Sequence, residues 1–140
     1  MKGWLTSAIC IISLITNLLL IILLIWINPL KKLQPVEYVV RDFSLEDYSW
    51  GIENFPVDTN IGEIKNANAA VKGAKKLWIS KWGKVNGKTY DPTHGCPVEV
   101  FYNQETDCWL VQGTLPSGVS GSVPCAIFTS FGEVIAVWMN

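Results

Sequence analysis

The sequence predicts an α+β protein: one apolar helix near the amino end, then a small domain in which a helix packs on a curved four-stranded antiparallel meander. Three observations predict it. Residues 4–27 contain no charged residue and no proline. Residues 64–82 carry apolar side chains at helical spacing. Residues 97–139 hold four short apolar runs separated by turn-forming stretches.

The first run has 24 residues. As a helix it would span about 36 Å, enough to cross a hydrocarbon core of about 30 Å with some tilt. A cleavable signal peptide would have an apolar region of about 7–15 residues ending at small residues. Here the run ends Trp26-Ile27-Asn28-Pro29, and Ile9 precedes Cys10 where a lipoprotein signal wants a small residue. The reading is a retained, single-pass transmembrane helix over 4–27 in contact with the lipid bilayer, with Trp4 and Trp26 as interface anchors. Thr16 and Asn17 lie mid-span, where an amide either joins helices or is simply tolerated. Lys2 flanks one end and Lys31 and Lys32 the other, a count that leans toward a cytoplasmic domain. A short amino-terminal tail before one span leans the other way, and the outer side is the expectation taken.

Residues 28–36 (NPLKKLQPV) form an exit linker. Charge is then laid out in blocks. Residues 37–63 hold seven acids and one base, Arg41, whereas 65–88 hold seven lysines and no acid. Residues 91–140 hold five acids and no base. The sum over 33–140 is 8 minus 12, or −4. Such blocks are either a docking code for a partner or an acidic segment (37–60, expected to be irregular) packed beside the lysine-rich one. A nucleic-acid partner is not expected: the lysines are read as confined to one helix, with no arginine among them to read bases.

Within 61–140, Ile64, Ala67, Val71, Ala74, Trp78 and Trp82 make one helical stripe. Asp58 or Asn60 can cap its start, and Gly83 can stop it in the left-handed conformation. Strands are expected over 97–103, 108–114, 123–129 and 133–139, with a two-residue turn at Phe131-Gly132. Paired residue numbers then sum to 211, 237 and 263 across the three junctions. In those registers one face collects Val98, Val100, Tyr102, Trp109, Val111, Gly113, Pro124, Ala126, Phe128, Ile135, Val137 and Met139. A one-residue slip would destroy that agreement, and this face should carry the helix.

The other face collects Glu99, Phe101, Asn103, Cys108, Leu110, Gln112, Cys125, Ile127, Val134, Ala136 and Trp138. It mixes apolar and polar groups. Either residues 36–57 cover it, since Tyr38, Val39, Phe43, Tyr48, Trp50 and Phe55 need a place to pack, or a partner protein does. On the second reading Glu99, Phe101, Leu110, Ile127 and Trp138 are the candidate partner-binding residues.

Little chemistry is visible. Cys96, Cys108 and Cys125 are not cross-strand neighbours, so free thiols are expected. No cysteine or histidine spacing suits a metal. His94 is the single histidine, two residues from Cys96 in a Pro/Gly-rich loop, and reads as a loop residue. The loop GTLPSGVSGS leads into a strand, whereas a phosphate cradle should lead into a helix N-terminus. The expectation is a non-enzymatic binding protein without cofactor.

The stretch DCWLVQGTLPSGVSGSVPCAIFTSFGEVIAVW, preceded by a helix ending Trp82-Gly83, resembles the immunity proteins of bacterial polymorphic toxin systems with a nuclear-transport-factor-2-like fold. The matching residues are Trp109, Val111, Gly113, Thr114, Leu115, Pro116, Gly118, Gly121 and Gly132. Ser122 stands where that family has a second glycine. The resemblance spans roughly 67–138 and implies protection of the cell by binding and blocking a cognate toxin domain; the anchor lies outside it, and with the span over 4–27 the expected location is the bacterial inner membrane with the domain on the periplasmic side. The rival readings are a non-catalytic envelope subunit and a small-ligand binder of the same fold.

Overall fold

A computed structural model describes residues 36–140 and, before them, the single position Asn17. The expected span 4–27 and almost all of the linker lie outside the described residues. Among the described residues no helix is long and apolar enough to cross a membrane. Glu37–Asn140 is one compact unit.

Four strands lie where the apolar runs place them. In chain order they follow β1 (Val40–Arg41), a 3-10 turn (Glu46–Tyr48), α1 (Ser49–Asn54), α2 (Ala67–Trp82) and the two short strands β2 (Lys84–Val85) and β3 (Lys88–Thr89). They are β4 (Val98–Asn103), β5 (Cys108–Gly113), β6 (Pro124–Thr129) and β7 (Val134–Met139). The main sheet has five strands rather than four, in the order β1-β4-β5-β6-β7, because Val40 and Arg41 pair parallel to Val100 and Phe101. The acidic segment is also only partly irregular, since it contains the 3-10 turn and α1, while 42–45 and 55–60 lie outside helix and strand. Its two- to six-residue pieces carry no period that a sequence pattern can register.

The registers agree with those predicted for β4–β5 and β5–β6, with Val98 opposite Gly113 and Cys108 opposite Thr129. At β6–β7 the agreement is partial. Pro124 pairs with Met139 as expected, but Phe128 pairs with Val134. The turn holds three residues, not two: Gly132 takes φ +83, its N–H donates to the Thr129 carbonyl at 2.9 Å, and the Thr129 N–H donates to the Glu133 carbonyl at 2.9 Å. The extra residue is absorbed by a bulge at Ile135, which restores the register at Ile127 and Ala136. As a result Val134 joins the helix-side core and Ile135 packs on the opposite side, the reverse of the expected assignment.

α2 lies across the all-apolar face. Ala70, Val71, Ala74 and Trp78 are buried against Val100, Val111, Ala126, Phe128 and Val137. The cap is Asn66, not Asp58 or Asn60: its side chain accepts from the Ala69 N–H at 2.9 Å. Gly83 ends the helix with φ −79, so it is not left-handed. It is required for space, because a Cβ there would come to 2.8 Å of the Tyr90 carbonyl oxygen. Gly73 has a similar reason to be small, since the Ile61 side chain lies directly over it.

Neither long edge is left bare. Along β7, residues 55–61 run antiparallel and exchange bonds with it: the Val57 N–H donates to the Ile135 carbonyl and the Val134 N–H to the Thr59 carbonyl. The opposite edge is the two-residue β1, too short to template another chain.

Candidate functional site

The mixed sheet face is a second core, not an open surface. Phe43, Leu45, Tyr48, Ile52 and Phe55 from the 3-10 turn, α1 and their flanks close over Cys108, Leu110, Cys125, Ile127, Ala136 and Trp138. This corrects the assignment of partner-binding residues. Leu110 and Ile127 are fully buried and Trp138 is 2% exposed. Phe101 is half-buried with its ring 6.5 Å from Phe43, and Glu99 is held by Arg41 at 3.0 Å. The physical reason is that burying each large side chain contributes about 1.5–3 kcal/mol, and the chain carries its own apolar residues at the reach needed to do so. A Cβ on Gly51 would lie 2.7 Å from the Trp138 ring, so α1 sits directly on that indole.

Two residues expected to pack do not. Val39 and Trp50 are exposed, Trp50 by 60%. Gly51 and Ile52 take the inward positions of α1, which turns Trp50 outward with its ring edge on Phe55 at 5.4 Å between centroids. Glu53 lies three positions on along α1, the spacing of neighbours on one helical surface, Glu46 and Asp47 precede the helix in the 3-10 turn, and all three are exposed. A signal was present in Ser-Trp-Gly-Ile: the residue before the buried glycine, on a helix whose Ile52 also faces inward, falls on the outside.

Residues 43–55, with Glu46, Asp47 and Glu53, lie over one face of the sheet and the lysine-bearing α2 over the other, whereas Val57, Ile61 and Glu63 at the end of the acidic block lie on the α2 side. The ion pairs among the described residues are Arg41–Glu99, Lys65–Glu63 and Lys75–Asp91. None joins Asp42, Glu46, Asp47 or Glu53 to a cation. The Tyr48 hydroxyl reports the same environment: burial first, then the charges of Cys125, Asp47 and Glu99, hold its pKa above the ordinary value.

The signature residues divide into two groups. Trp109 is buried and donates from Nε1 to the Ser130 hydroxyl at 3.1 Å. Gly113 is small because a Cβ would come to 2.7 Å of the Pro124 ring. Thr114 ties the loop to Pro97, whose carbonyl accepts its hydroxyl at 2.7 Å. Leu115, Pro116, Gly118 and Gly121 are exposed; Gly118 takes φ +78, whereas Gly121 does not adopt positive φ. The loop therefore joins β5 to β6 and presents Leu115 and Val119 to solvent.

At the far end of the sheet, Asp107 gathers a polar cluster that sequence spacing did not suggest. Its Oδ1 accepts from the Tyr102 hydroxyl at 2.7 Å and the Ser130 hydroxyl at 2.6 Å. Those bonds, Ser130 first, hold the Asp107 carboxyl below its ordinary range. The arrangement, with the Ser130 N–H donating to the Asp107 carbonyl at 3.0 Å, clamps two turns together. In the loop after β3, burial raises the Asp91 pKa, but bonds from Thr93 and Lys75 outweigh it and leave it lowered. His94 is exposed at φ +52 beside Tyr90. It makes no hydrogen bond with Cys96 among the described residues.

A cleft of about 380 Å³ lies between α2 and β7, lined by Val57, Thr59, Leu77, Ser80, Lys81 and Val137. Lys81 donates to the Val137 carbonyl, with its ammonium 5.6 Å from the Phe55 ring centroid and 5.2 Å from that of Trp82. Burial lowers its pKa. The thiols Cys96, Cys108 and Cys125 are free. Compared with family models, curated proteins and solved structures, the chain matches none.

Proposed function

We propose that this chain is a membrane-anchored immunity protein whose domain binds a cognate bacterial toxin domain and blocks it by occlusion. In this reading the span over 4–27 holds it to the inner membrane with the domain on the periplasmic side, and the domain is of the nuclear-transport-factor-2-like type. A helix across one face of a largely antiparallel sheet and the GTLPSG stretch support that assignment.

The observation that carries the binding reading is Trp50. An exposed tryptophan, braced by Phe55 and bordered by Glu46, Asp47 and Glu53, has the composition of an interface centre: a rigid aromatic anchor with a charged rim. It replaces the buried residues Leu110, Ile127 and Trp138 as the docking point. The charges select a basic partner surface and speed its encounter. The mechanism needs no catalytic group and no cofactor.

The test is co-expression with the toxin encoded beside this chain. Protection should be complete with the native chain and lost with Trp50→Ala, while the circular dichroism of the variant stays native. If no neighbouring gene encodes a toxin that the chain neutralises, the reading fails.

A further inference from the structure

We infer that the lysine-lined outer side of α2, continued by the hairpin β2–β3, is a docking surface for an anionic lipid bilayer; the inference rests on the membrane-anchor reading above. Seven lysines lie in 65–88 with no acid among them. Three are occupied: Lys65 by Glu63, Lys75 by Asp91, and Lys81 by the Val137 carbonyl. The other four, Lys72, Lys76, Lys84 and Lys88, are exposed and form no ion pair among the described residues. Lys72 and Lys76 are neighbours on one side of α2. Lys84 and Lys88 flank the hairpin at its end on opposite faces, Lys88 across from Val85 and Lys84 across from Thr89, so the lysines are not confined to one helix as the sequence suggested.

The hairpin adds apolar character at the same place. Asn86 and Gly87 take φ 50 and 76 and make the tight turn. Beside it, Val85 is 51% exposed and Tyr90 37% exposed. Unpaired lysines around a small apolar tip and a tyrosine match the headgroup layer, where ammonium groups meet lipid phosphates and a tyrosine ring sits at the boundary. Glu46, Asp47 and Glu53 lie on the segment across the sheet, while Glu63 and Asp91, on the lysine side, are held by Lys65 and Lys75. The tether sets the reach: nine residues separate Ile27, the end of the apolar run, from Glu37. Extended, they measure at most about 30 Å, which keeps a bilayer holding the span within touching distance of the domain. A free acidic protein or nucleic acid has no such tether.

The experiment uses the full chain in nanodiscs of phosphatidylcholine alone or mixed with phosphatidylglycerol. Acetylation by a water-soluble reagent is read lysine by lysine by mass spectrometry. Lys72, Lys76, Lys84 and Lys88 should react about fivefold more slowly in the anionic discs, and high salt should remove the difference. Equal rates in both discs would overturn the inference. So would protection already present in phosphatidylcholine, which would mean that the lysines meet a second copy of the chain. Flotation separates this from the anchor reading. If the chain does not float with phosphatidylcholine vesicles, the anchor fails, and flotation with phosphatidylglycerol vesicles then reads the lysine surface alone: flotation lost in K72Q/K76Q/K84Q/K88Q supports it, and no flotation sinks it.

Discussion

Gly51 lies against the face of the Trp138 indole so closely that a Cβ on it would come to 2.7 Å of the ring. Around this contact α1 closes the second core. Gly51→Ala would force the ring or the helix to move, and overpacking of this kind costs about 1–3 kcal/mol. Urea denaturation of the variant should show that loss with an unchanged m-value. A neutral or stabilising result would mean that α1 is not seated on Trp138.

Gly132 should be less tolerant still. It takes φ +83, and a Cβ there would collide with the backbone of Gly62. Both the left-handed conformation and the contact exclude a side chain. Gly132→Ala is expected to cost more than about 2 kcal/mol and to lower the thermal midpoint accordingly. Gly118→Ala, equally left-handed but with open space around it, should cost about 1 kcal/mol.

The Asp107 clamp makes a pH prediction. Hydrogen bonds from Ser130 and Tyr102 lower the folded pKa of Asp107 from its ordinary 3.8. A depressed carboxyl pKa contributes stability that is present above the unfolded value and lost as pH falls through the folded one. Stability should therefore decline below about pH 4. Asp107→Asn should remove its part of that decline and leave the part due to Asp91. A variant whose acid profile matches the native one would refute the clamp. On the alkaline side the Tyr102 pKa is raised, chiefly by its bond to Asp107. That contribution is present below the ordinary tyrosine value and lost as pH rises through the folded one.

Thiol reactivity should follow burial. Burial pushes the Cys125 thiol up to about 12 and also raises that of Cys108, where a hydrogen bond with the Thr106 side chain opposes the rise and the charge of Asp107 adds to it. At pH 8 both are thiols, not the reactive thiolates. Iodoacetamide followed by mass spectrometry should label the half-buried Cys96 first, and Cys108 and Cys125 only with denaturant. Rapid labelling of Cys125 in the folded chain would show that the second core is open.

The meander was legible from local pattern. The α2-facing residues of β4, β5 and β6 are apolar or glycine apart from the Tyr102 hydroxyl, and a one-residue slip would turn Glu99, Asn103 or Gln112 into that core, so the sequence alone determined β4, β5, β6 and their pairing. The stripe from Val71 to Trp78 likewise determined α2 and the face it covers. The helix start was misread because the side chain of Asn66, not that of Asp58 or Asn60, reaches a free backbone N–H, and that choice depends on where the preceding loop runs.

The residues of the candidate site were legible only in part. The GTLPSG stretch could be recognised as a connection between strands. The proposed docking residue could not be, because Trp50 and Phe55 look alike in composition and differ only in which way α1 lies on the sheet. The tertiary structure decided three things: that residues 43–55 cover Leu110, Ile127 and Trp138, that a bulge at Ile135 swaps it with Val134, and that Glu46, Asp47 and Glu53 lie across the sheet from α2. The physical reason is common to all three. Short segments without a period have no amphipathic pattern of their own, and their conformation is chosen by the long-range surface on which they are buried.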